Sequence, residues 1–170
     1  GYAALHLQDM GDSRATSANT GIGSYAGYYN VTGTNNTYLG YNSGKGATGQ
    51  SNSSNTGVGA NALLAITTGN DNTAVGKGSL DAVEAGQYNT GIGLNAGGAF
   101  NDESHNTYVG YGCGQSGHAA SCTAIGSNAL AGVTVVGAGN ADGTVAIGVT
   151  ALTALTSGIG NLAVGYSALS

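Results

Sequence analysis

A short motif of the form N-T-(G/A/Y)-(I/V/L)-G, or a close variant of it, recurs nine times along the chain. Its final residue is called the anchor glycine here, and the nine anchors are Gly23, Gly40, Gly59, Gly76, Gly93, Gly110, Gly126, Gly148 and Gly165. Successive anchors are 16 to 22 residues apart and most often 17. Repeats of this length indicate a solenoid, in which each repeat forms one coil and stacks on the next.

Aligning the repeats on the anchor glycine gives columns that predict the faces of one coil. The residue before the anchor forms the aliphatic column: Ile22, Leu39, Val58, Val75, Ile92, Val109, Ile125, Ile147 and Val164. Two residues earlier the threonine column holds Thr in seven repeats and then Val145 and Leu162. Strand residues two apart share a face. We therefore predict that both columns face the interior and that Val75→Asp unfolds the middle of the rod.

Three further columns complete the predicted coil. The middle column lies between the other two and holds Gly, Ala or Tyr, which we predict to point outward. Before the threonine column stands the asparagine column, which suits a turn with an amide ladder: Asn19, Asn36, Asn55, Asn72, Asn89 and Asn106, then Cys122, Thr144 and Asn161. Small residues three positions after the anchor, such as Ala26 and Ser43, indicate close packing. The coil is thus predicted to be a strand, a glycine corner and a second short strand.

Composition supports an all-β chain and argues against a helical one. Of the 170 residues, 33 are Gly and none is Pro, and there is no collagen-like period of three. We predict a parallel β-solenoid, or β-roll, of about nine 17-residue coils over residues 19–170, preceded by a cap or connector at 1–18. Because such a thin roll encloses few large side chains, we expect a side-by-side homotrimer, and open ends could also stack into fibres.

The charge pattern restricts the partners. The net charge is −5, and the only basic residues besides histidine are Arg14, Lys45 and Lys77. We therefore expect no nucleic acid partner and no binding to an anionic membrane surface. No apolar run is long enough for a membrane span, and the first ten residues do not resemble a signal peptide, so the chain is expected to be mature, processed or a fragment. Few charges with many Asn, Thr and Tyr favour an extracellular, cell-surface or virion-surface location.

Three segments carry a family resemblance: TAIGSNALA (123–131), TVAIGVTALT (144–153) and LAVGYSALS (162–170). They resemble the head repeats of YadA-like trimeric autotransporter adhesins, and a related form recurs in phage tail-fibre shafts. The resemblance implies a left-handed parallel β-roll, three copies of which form a tight trimer. The coils here are longer than those usual in that family, with insertions near Gly49 and Gly137. No coiled-coil stalk or membrane anchor is visible in this sequence.

Candidate chemistry is sparse, and we predict no enzyme and no cofactor. The spacing of Gly91, Gly93 and Gly97 belongs to the repeat and is not a phosphate-binding loop. Cys113 and Cys122 form either a disulfide between coils or two buried free thiols. With His105 and His118 they have the residue types of a zinc site, although the spacing fits no standard motif, so we predict no metal. The acidic residues fall in variable segments and are expected to be solvated.

Recognition is expected in the segments that vary, at 28–35, 45–54, 99–105 and 132–143. Within them the candidate binding residues are Tyr28, Tyr29, Asn101, Asp102 and His105. The predicted function is that of a non-enzymatic extracellular shaft or head that binds a host glycan or a matrix protein. The alternatives are a self-stacking extracellular filament and an ice-binding solenoid. Ice binding requires the threonine column to face solvent, which the inward placement predicted above would prevent.

Overall fold

The chain forms a parallel β-solenoid. The computed structural model describes residues 1–8, 17–49, 51–98, 101–115, 119–132 and 141–170. Each repeat contributes one strand of three residues, and the described residues contain no helix. The strands are β1 (Thr20–Ile22), β2 (Thr37–Leu39), β3 (Thr56–Val58), β4 (Thr73–Val75), β5 (Thr90–Ile92), β6 (Thr107–Val109), β7 (Thr123–Ile125), β8 (Val145–Ile147) and β9 (Leu162–Val164).

The nine strands form one parallel sheet in sequence order. Each strand pairs with the next in the same register, so Ile22 pairs with Leu39 and the whole aliphatic column stacks in one line. The predicted parallel β-solenoid with a period near 17 residues is therefore confirmed, and the nine strands make about eight turns where about nine coils were predicted. With a rise of about 4.8 Å per strand, the sheet is about 38 Å long.

The prediction of which columns face inward is wrong. The threonine and aliphatic columns do share a face, but that face is the outer one, and the middle column points into the coil. From β2 to β9 the middle residues are buried, whereas seven of the nine aliphatic side chains are exposed and only Val58 and Val109 are half-buried. A coil this narrow admits one side chain from each strand, so the single central residue enters it. Val75 is exposed, so Val75→Asp is no longer expected to unfold the rod.

The second wall of the coil is a stacked turn and not the predicted second strand. Two positions in each wall, the second and fourth after the anchor, have left-handed backbone angles, as in Asn61 (φ 60°) and Leu63 (φ 54°). Such angles interrupt a strand. The turns still bond from coil to coil, since Leu63 N–H donates to Ser79 O at 3.1 Å and Leu80 N–H to Ala96 O at 2.9 Å.

The anchor glycines set the spacing of the coils at the corner between the two walls. Their φ angles lie between 129° and 141°, a region that L residues rarely adopt. A Cβ built on Gly76 would lie 2.4 Å from the carbonyl oxygen of Gly93 in the next coil. The first eight anchors therefore have no room for a side chain, and at Gly165 the backbone angle alone (φ 133°) favours glycine.

The interior is filled by two complementary combinations of side chains. Where the middle residue is Tyr38 or Tyr108, the fourth residue after the anchor is Gly44 or Gly114, and a Cβ there would lie 2.1 or 2.4 Å from the ring. Where the middle residue is Ala, that position holds a Leu, as in the buried pairs Ala74 with Leu80 and Ala124 with Leu130. The ring or the leucine thus occupies the same space in alternative coils.

The asparagine column forms the predicted ladder inside the turn that precedes each strand. The side-chain oxygen of Asn55 accepts bonds from the backbone N–H of Asn72 at 2.9 Å and from its Nδ2 at 3.1 Å. The Nδ2 of Asn55 donates to Gly69 O at 2.9 Å. The same pattern joins Asn72 to Asn89, and the Oδ1 of Asn106 accepts from Cys122 N–H at 2.9 Å. The amides of Asn55, Asn72 and Asn89 therefore satisfy buried backbone groups of two coils, whereas the buried Nδ2 of Asn106 has no hydrogen-bond partner among the described residues.

Residues 1–8 stack on the first coil as part of the solenoid. Leu5 N–H donates to Ala26 O at 2.9 Å, and Tyr25 N–H donates to Tyr2 O at 2.9 Å. The Leu5 side chain lies against the interior positions of Gly21 and Gly27, where a Cβ would meet it at 2.8 and 2.7 Å. Part of the segment predicted as a cap or connector thus continues the repeat, while residues 9–16 lie outside the described residues.

The complementary filling of the interior gives a double-mutant prediction. Tyr108→Ala empties one coil and should destabilise it by about 3–5 kcal/mol. Gly114→Leu alone should also destabilise, because its Cβ would meet the Tyr108 ring at 2.4 Å. Together they recreate the combination of Ala124 with Leu130, and we expect the pair to recover about 1–3 kcal/mol relative to additivity. Denaturant unfolding of the four proteins measures this coupling.

A control in the same experiment is Tyr88→Ala, which removes an exposed tyrosine and should cost about 1 kcal/mol or less. Additive losses in the double variant would mean that the ring and the leucine do not share one space.

Candidate docking face and loop edge

The outer side of the sheet carries most of the exposed apolar groups of the described residues. It is called the docking face here and consists of the threonine column, the aliphatic column and the outer-turn column, which is the first residue after each anchor. The outer-turn column is Ser24, Tyr41, Ala60, Lys77, Leu94, Tyr111, Ser127, Val149 and Tyr166. Exposure of its apolar members is high, at 56% for Tyr41 and 55% for Tyr111. The aliphatic column makes a continuous apolar strip along the rod, with the threonine column on one side and the mixed outer-turn column on the other.

The docking face has almost no charge. Lys77 is the one Lys, Arg, His, Asp or Glu residue in its three columns, although the chain carries a net charge of −5. The acidic side chains Asp71, Glu84, Asp102 and Glu103 all belong to turns outside those columns. A second copy of the chain could therefore approach this face without strong repulsion between like charges.

The threonine column lies beside the aliphatic column in strict register. Thr pairs with Thr at every step from β1 to β7, for example Thr73 with Thr90. These residues are exposed in β1 and β2 and half-buried from β3 to β7. The objection that an inward threonine column would prevent ice binding is therefore removed.

The segment 101–105 lies on the edge of the rod where the variable turns project, called the loop edge here. Asn101 and Asp102 are exposed, and the carbonyl of Asn101 accepts backbone bonds from Glu84, Ala85 and Gly86 at 2.8–3.2 Å. His105 is exposed and stacks on the Tyr88 ring, with centroids 5.0 Å apart. These groups are held in place by the neighbouring coil, and no further site is built around them in the described residues.

Tyr28 and Tyr29 also lie on the loop edge, but in the first coil, four coils and about 19 Å from His105. Tyr28 is central to a group of rings called the aromatic cluster here: Tyr2, His6, Tyr25, Tyr28 and Tyr29. The structure thus separates the candidate binding residues into two places. The other variable segments fall partly on residues 50, 99, 100 and 133–140, which lie outside the described residues.

Sequence reasoning missed His6 and Tyr25, which contact the Tyr28 ring, and Tyr2 and Lys45, which contact the Tyr25 ring. The signal was present, because GYAAL at 1–5 repeats the pattern of GYSAL at 165–169. Aligning that segment with the other turns would have stacked Tyr2 and His6 on the first coil. Residues 1–8 lack the strand motif, so a pattern anchored on that motif does not include them.

The two cysteines are buried free thiols, the second of the two predicted alternatives. Cys113 Sγ donates to Ala124 O at 3.0 Å. In other coils the hydroxyl of Ser43 or Ser79 makes the equivalent hydrogen bond to a backbone carbonyl at 2.8 Å. Cys122 Sγ donates to Ala141 O at 3.2 Å in place of an asparagine amide. Burial raises the pKa of the Cys113 thiol to about 12 and also raises the pKa of Cys122. Both are therefore protonated core groups at neutral pH.

The described residues bring together no group of three or more His, Cys, Asp or Glu side chains that could hold a metal. His118, one residue of the zinc alternative, lies outside the described residues. No helix that could cross a lipid bilayer occurs in the described part of the chain.

Comparison of the chain with protein-family models, with curated proteins and with solved structures found no significant match.

The buried thiols predict a loss of stability at high pH. An unfolded cysteine has a pKa of about 8.5. In the folded chain the pKa of Cys113 is about 12, so the stabilisation is complete below pH 8.5 and is lost as pH rises towards 12. Burial raises the pKa of Tyr38 and Tyr108 as well, which adds to the loss in the same direction. Urea unfolding at pH 7 and pH 11 should show a lower midpoint at pH 11.

Cys113→Ser is the matched variant, because Ser43 and Ser79 make the same hydrogen bond from the same column. At pH 7 its free energy of unfolding should stay within about 1 kcal/mol of that of the parent. Between pH 7 and pH 11 it should lose less of that free energy than the parent does. Equal alkaline losses in the two proteins would show that the Cys113 thiol does not contribute.

Proposed function

We propose that the chain is a non-enzymatic extracellular shaft or head in which three copies associate side by side through their docking faces. The observation that carries this is the exposed, nearly uncharged aliphatic column running the length of the sheet. A long apolar strip of this kind is rare on a soluble monomer and marks a contact surface. The loop edge then remains free to present variable turns for adhesion.

The energetics require the whole docking face and not the aliphatic column alone. Burying a fully exposed aliphatic side chain gains about 1.5–3 kcal/mol, so a half-exposed one gains about 1 kcal/mol. Nine of them give about 9 kcal/mol, which is comparable with the association cost of about 4–15 kcal/mol. Tyrosines and aliphatic residues of the outer-turn column supply the surplus that a stable assembly needs.

The resemblance of residues 123–131, 144–153 and 162–170 to trimeric autotransporter head repeats and phage tail-fibre shafts supports three as the number of copies. Both groups use stacked repeats to extend a rod away from a cell or a virion. In this proposal the chain acts in the same way, with itself as its first partner and a host glycan or matrix protein as its second.

Ile92→Asp tests the proposed assembly. Ile92 is 41% exposed in the single chain, so the carboxylate should leave the solenoid folded while placing a charge in the contact. Light scattering after size-exclusion chromatography should give a trimer for the parent and a monomer for the variant, and circular dichroism should be unchanged.

The control is Ile159→Asp, which changes an isoleucine that is 73% exposed and outside the docking face, and it should stay trimeric. A parent chain that is monomeric at all concentrations would contradict the proposal.

Ice binding is a second candidate function, and the outward threonine column favours it. Methyl and hydroxyl groups repeat in register about every 4.8 Å along a regular face, which could order a layer of water. This candidate needs the docking face to stay open, whereas the trimer covers it. The oligomeric state therefore separates the two proposals.

The ice-binding candidate predicts that the monomeric chain inhibits ice recrystallisation and that a Thr73→Lys, Thr90→Lys double variant loses this activity. Both threonines are half-buried on the outer face, so their long replacements can reach solvent. Ser54→Lys, at an exposed turn position, should retain full activity. A parent chain that leaves ice growth unchanged while monomeric rules the candidate out.

A further inference from the structure

The aromatic cluster is the densest group of rings in the described residues. The Tyr28 ring lies 4.6 Å from Tyr29 and 5.3 Å from Tyr25 between centroids, both edge to face, and 5.2 Å from His6 in a nearly parallel stack. Tyr2 meets Tyr25 edge to face at 5.6 Å. These are favourable aromatic geometries that fix each ring relative to its neighbours.

The cluster is held rigidly but is not buried. Backbone bonds tie the segments that carry it, since Leu7 N–H donates to Tyr28 O at 3.1 Å and Tyr29 N–H donates to Lys45 O at 3.0 Å. Tyr2 is nevertheless 74% exposed, His6 is exposed, and Tyr25, Tyr28 and Tyr29 are half-buried. Here the inner rings support outer rings that face water.

A positive charge stands beside these rings. The Nζ of Lys45 lies 5.7 Å from the centroid of the Tyr25 ring, which is a cation–π distance. The chain has only three Lys and Arg residues in 170, so a lysine at this place is notable. The Lys45 side chain is half-buried, so part of it stays open to solvent beside the rings. The ammonium is therefore available to an anionic group of a ligand.

We propose that the aromatic cluster and Lys45 form a binding site for an acidic saccharide, a sugar that bears a carboxylate. The apolar face of a sugar ring packs on exposed Tyr2 or His6, the tyrosine hydroxyls bond sugar hydroxyls, and the Lys45 ammonium pairs with the carboxylate. The proposal deepens the adhesive function proposed above by naming the ligand class. A long polyanion is disfavoured, because the rest of the chain is acidic.

The test is calorimetric titration of the purified chain with two acidic oligosaccharides, one with glucuronic acid and one ending in sialic acid. Each is compared with the same compound after reduction of its carboxyl group to an alcohol. We expect at least one acidic form to bind and its reduced form to bind at least tenfold more weakly. The arm that binds identifies the source of the carboxylate. Absence of binding in both arms, or equal binding of acidic and reduced forms, overturns the proposal.

Two variants locate the site. Lys45→Gln should lose the tenfold preference for the acidic form, and Tyr2→Ala should weaken both forms, with unchanged circular dichroism and thermal midpoint. Lys77→Gln and Tyr88→Ala are the matched controls, because they remove the other described lysine and a tyrosine that also stacks on a histidine. Both controls should bind like the parent. Full binding by Lys45→Gln would overturn the site.

The same titration on Ile92→Asp separates this proposal from the proposed assembly. A monomeric variant that keeps the sugar preference shows that the site stands within one chain. A parent chain that is monomeric but still prefers the acidic sugar would contradict the proposed assembly and support the sugar site. A trimeric parent that binds neither sugar would support the assembly and contradict the sugar site.

Discussion

The close stacking of the anchor glycines is the constraint on which the rest of the structure depends. There is no room for a Cβ between Gly76 and the carbonyl of Gly93, so the backbones of successive coils are in direct contact at this corner. Strands and turns are thereby held in one register, and every column of the sequence becomes a line of touching side chains. The columns can then act collectively, as an amide ladder inside and as an apolar strip outside.

That close stacking also limits what the interior can hold. The side chain of one residue per strand points into the coil. It must be small unless the facing turn position has no side chain, as at Gly44 opposite Tyr38. The ring in turn places its hydroxyl 2.6 Å from the Oδ1 of Asn52, inside the turn. The same tyrosine thus fills the core and makes a buried hydrogen bond, so replacing it changes both the packing and the hydrogen bonding of that coil.

The repeat, the strand positions, their register and the asparagine ladder could all be predicted from the sequence, because each leaves a column of like residues. The direction of the strand faces could not be read from the same alternation, since a period of two shows which residues share a face and not which face is buried. The better signal was size. The middle column is Gly or Ala except at Tyr38 and Tyr108, and a narrow interior requires small residues, whereas an outer face accepts Ile, Leu and Val.

The second wall escaped prediction for a different reason. Leu63, Leu80 and Leu130 adopt left-handed angles that leucine alone would not choose. Coil-to-coil bonds such as Leu80 N–H to Ala96 O and the burial of the side chains hold them there. Local propensity therefore pointed to a strand. The aromatic cluster was predicted only in part, at Tyr28 and Tyr29, because its contacts with Tyr2 and His6 join the first coil to a segment without the strand motif.

The placement of apolar groups follows from this geometry. A coil that buries only the central side chain of each strand leaves the two neighbouring side chains on the outer face. Because nine strands stack in register, these outward side chains form a strip and are not scattered over the surface. Water tolerates isolated exposed valines, but a continuous strip favours either a second apolar surface or an ordered layer of water. The acidic groups named above and the aromatic cluster lie outside this face, which itself holds Lys77 and three tyrosines of the outer-turn column. A face suited to assembly and an edge suited to recognition are thus separated around the same rod, so each can change without disturbing the other.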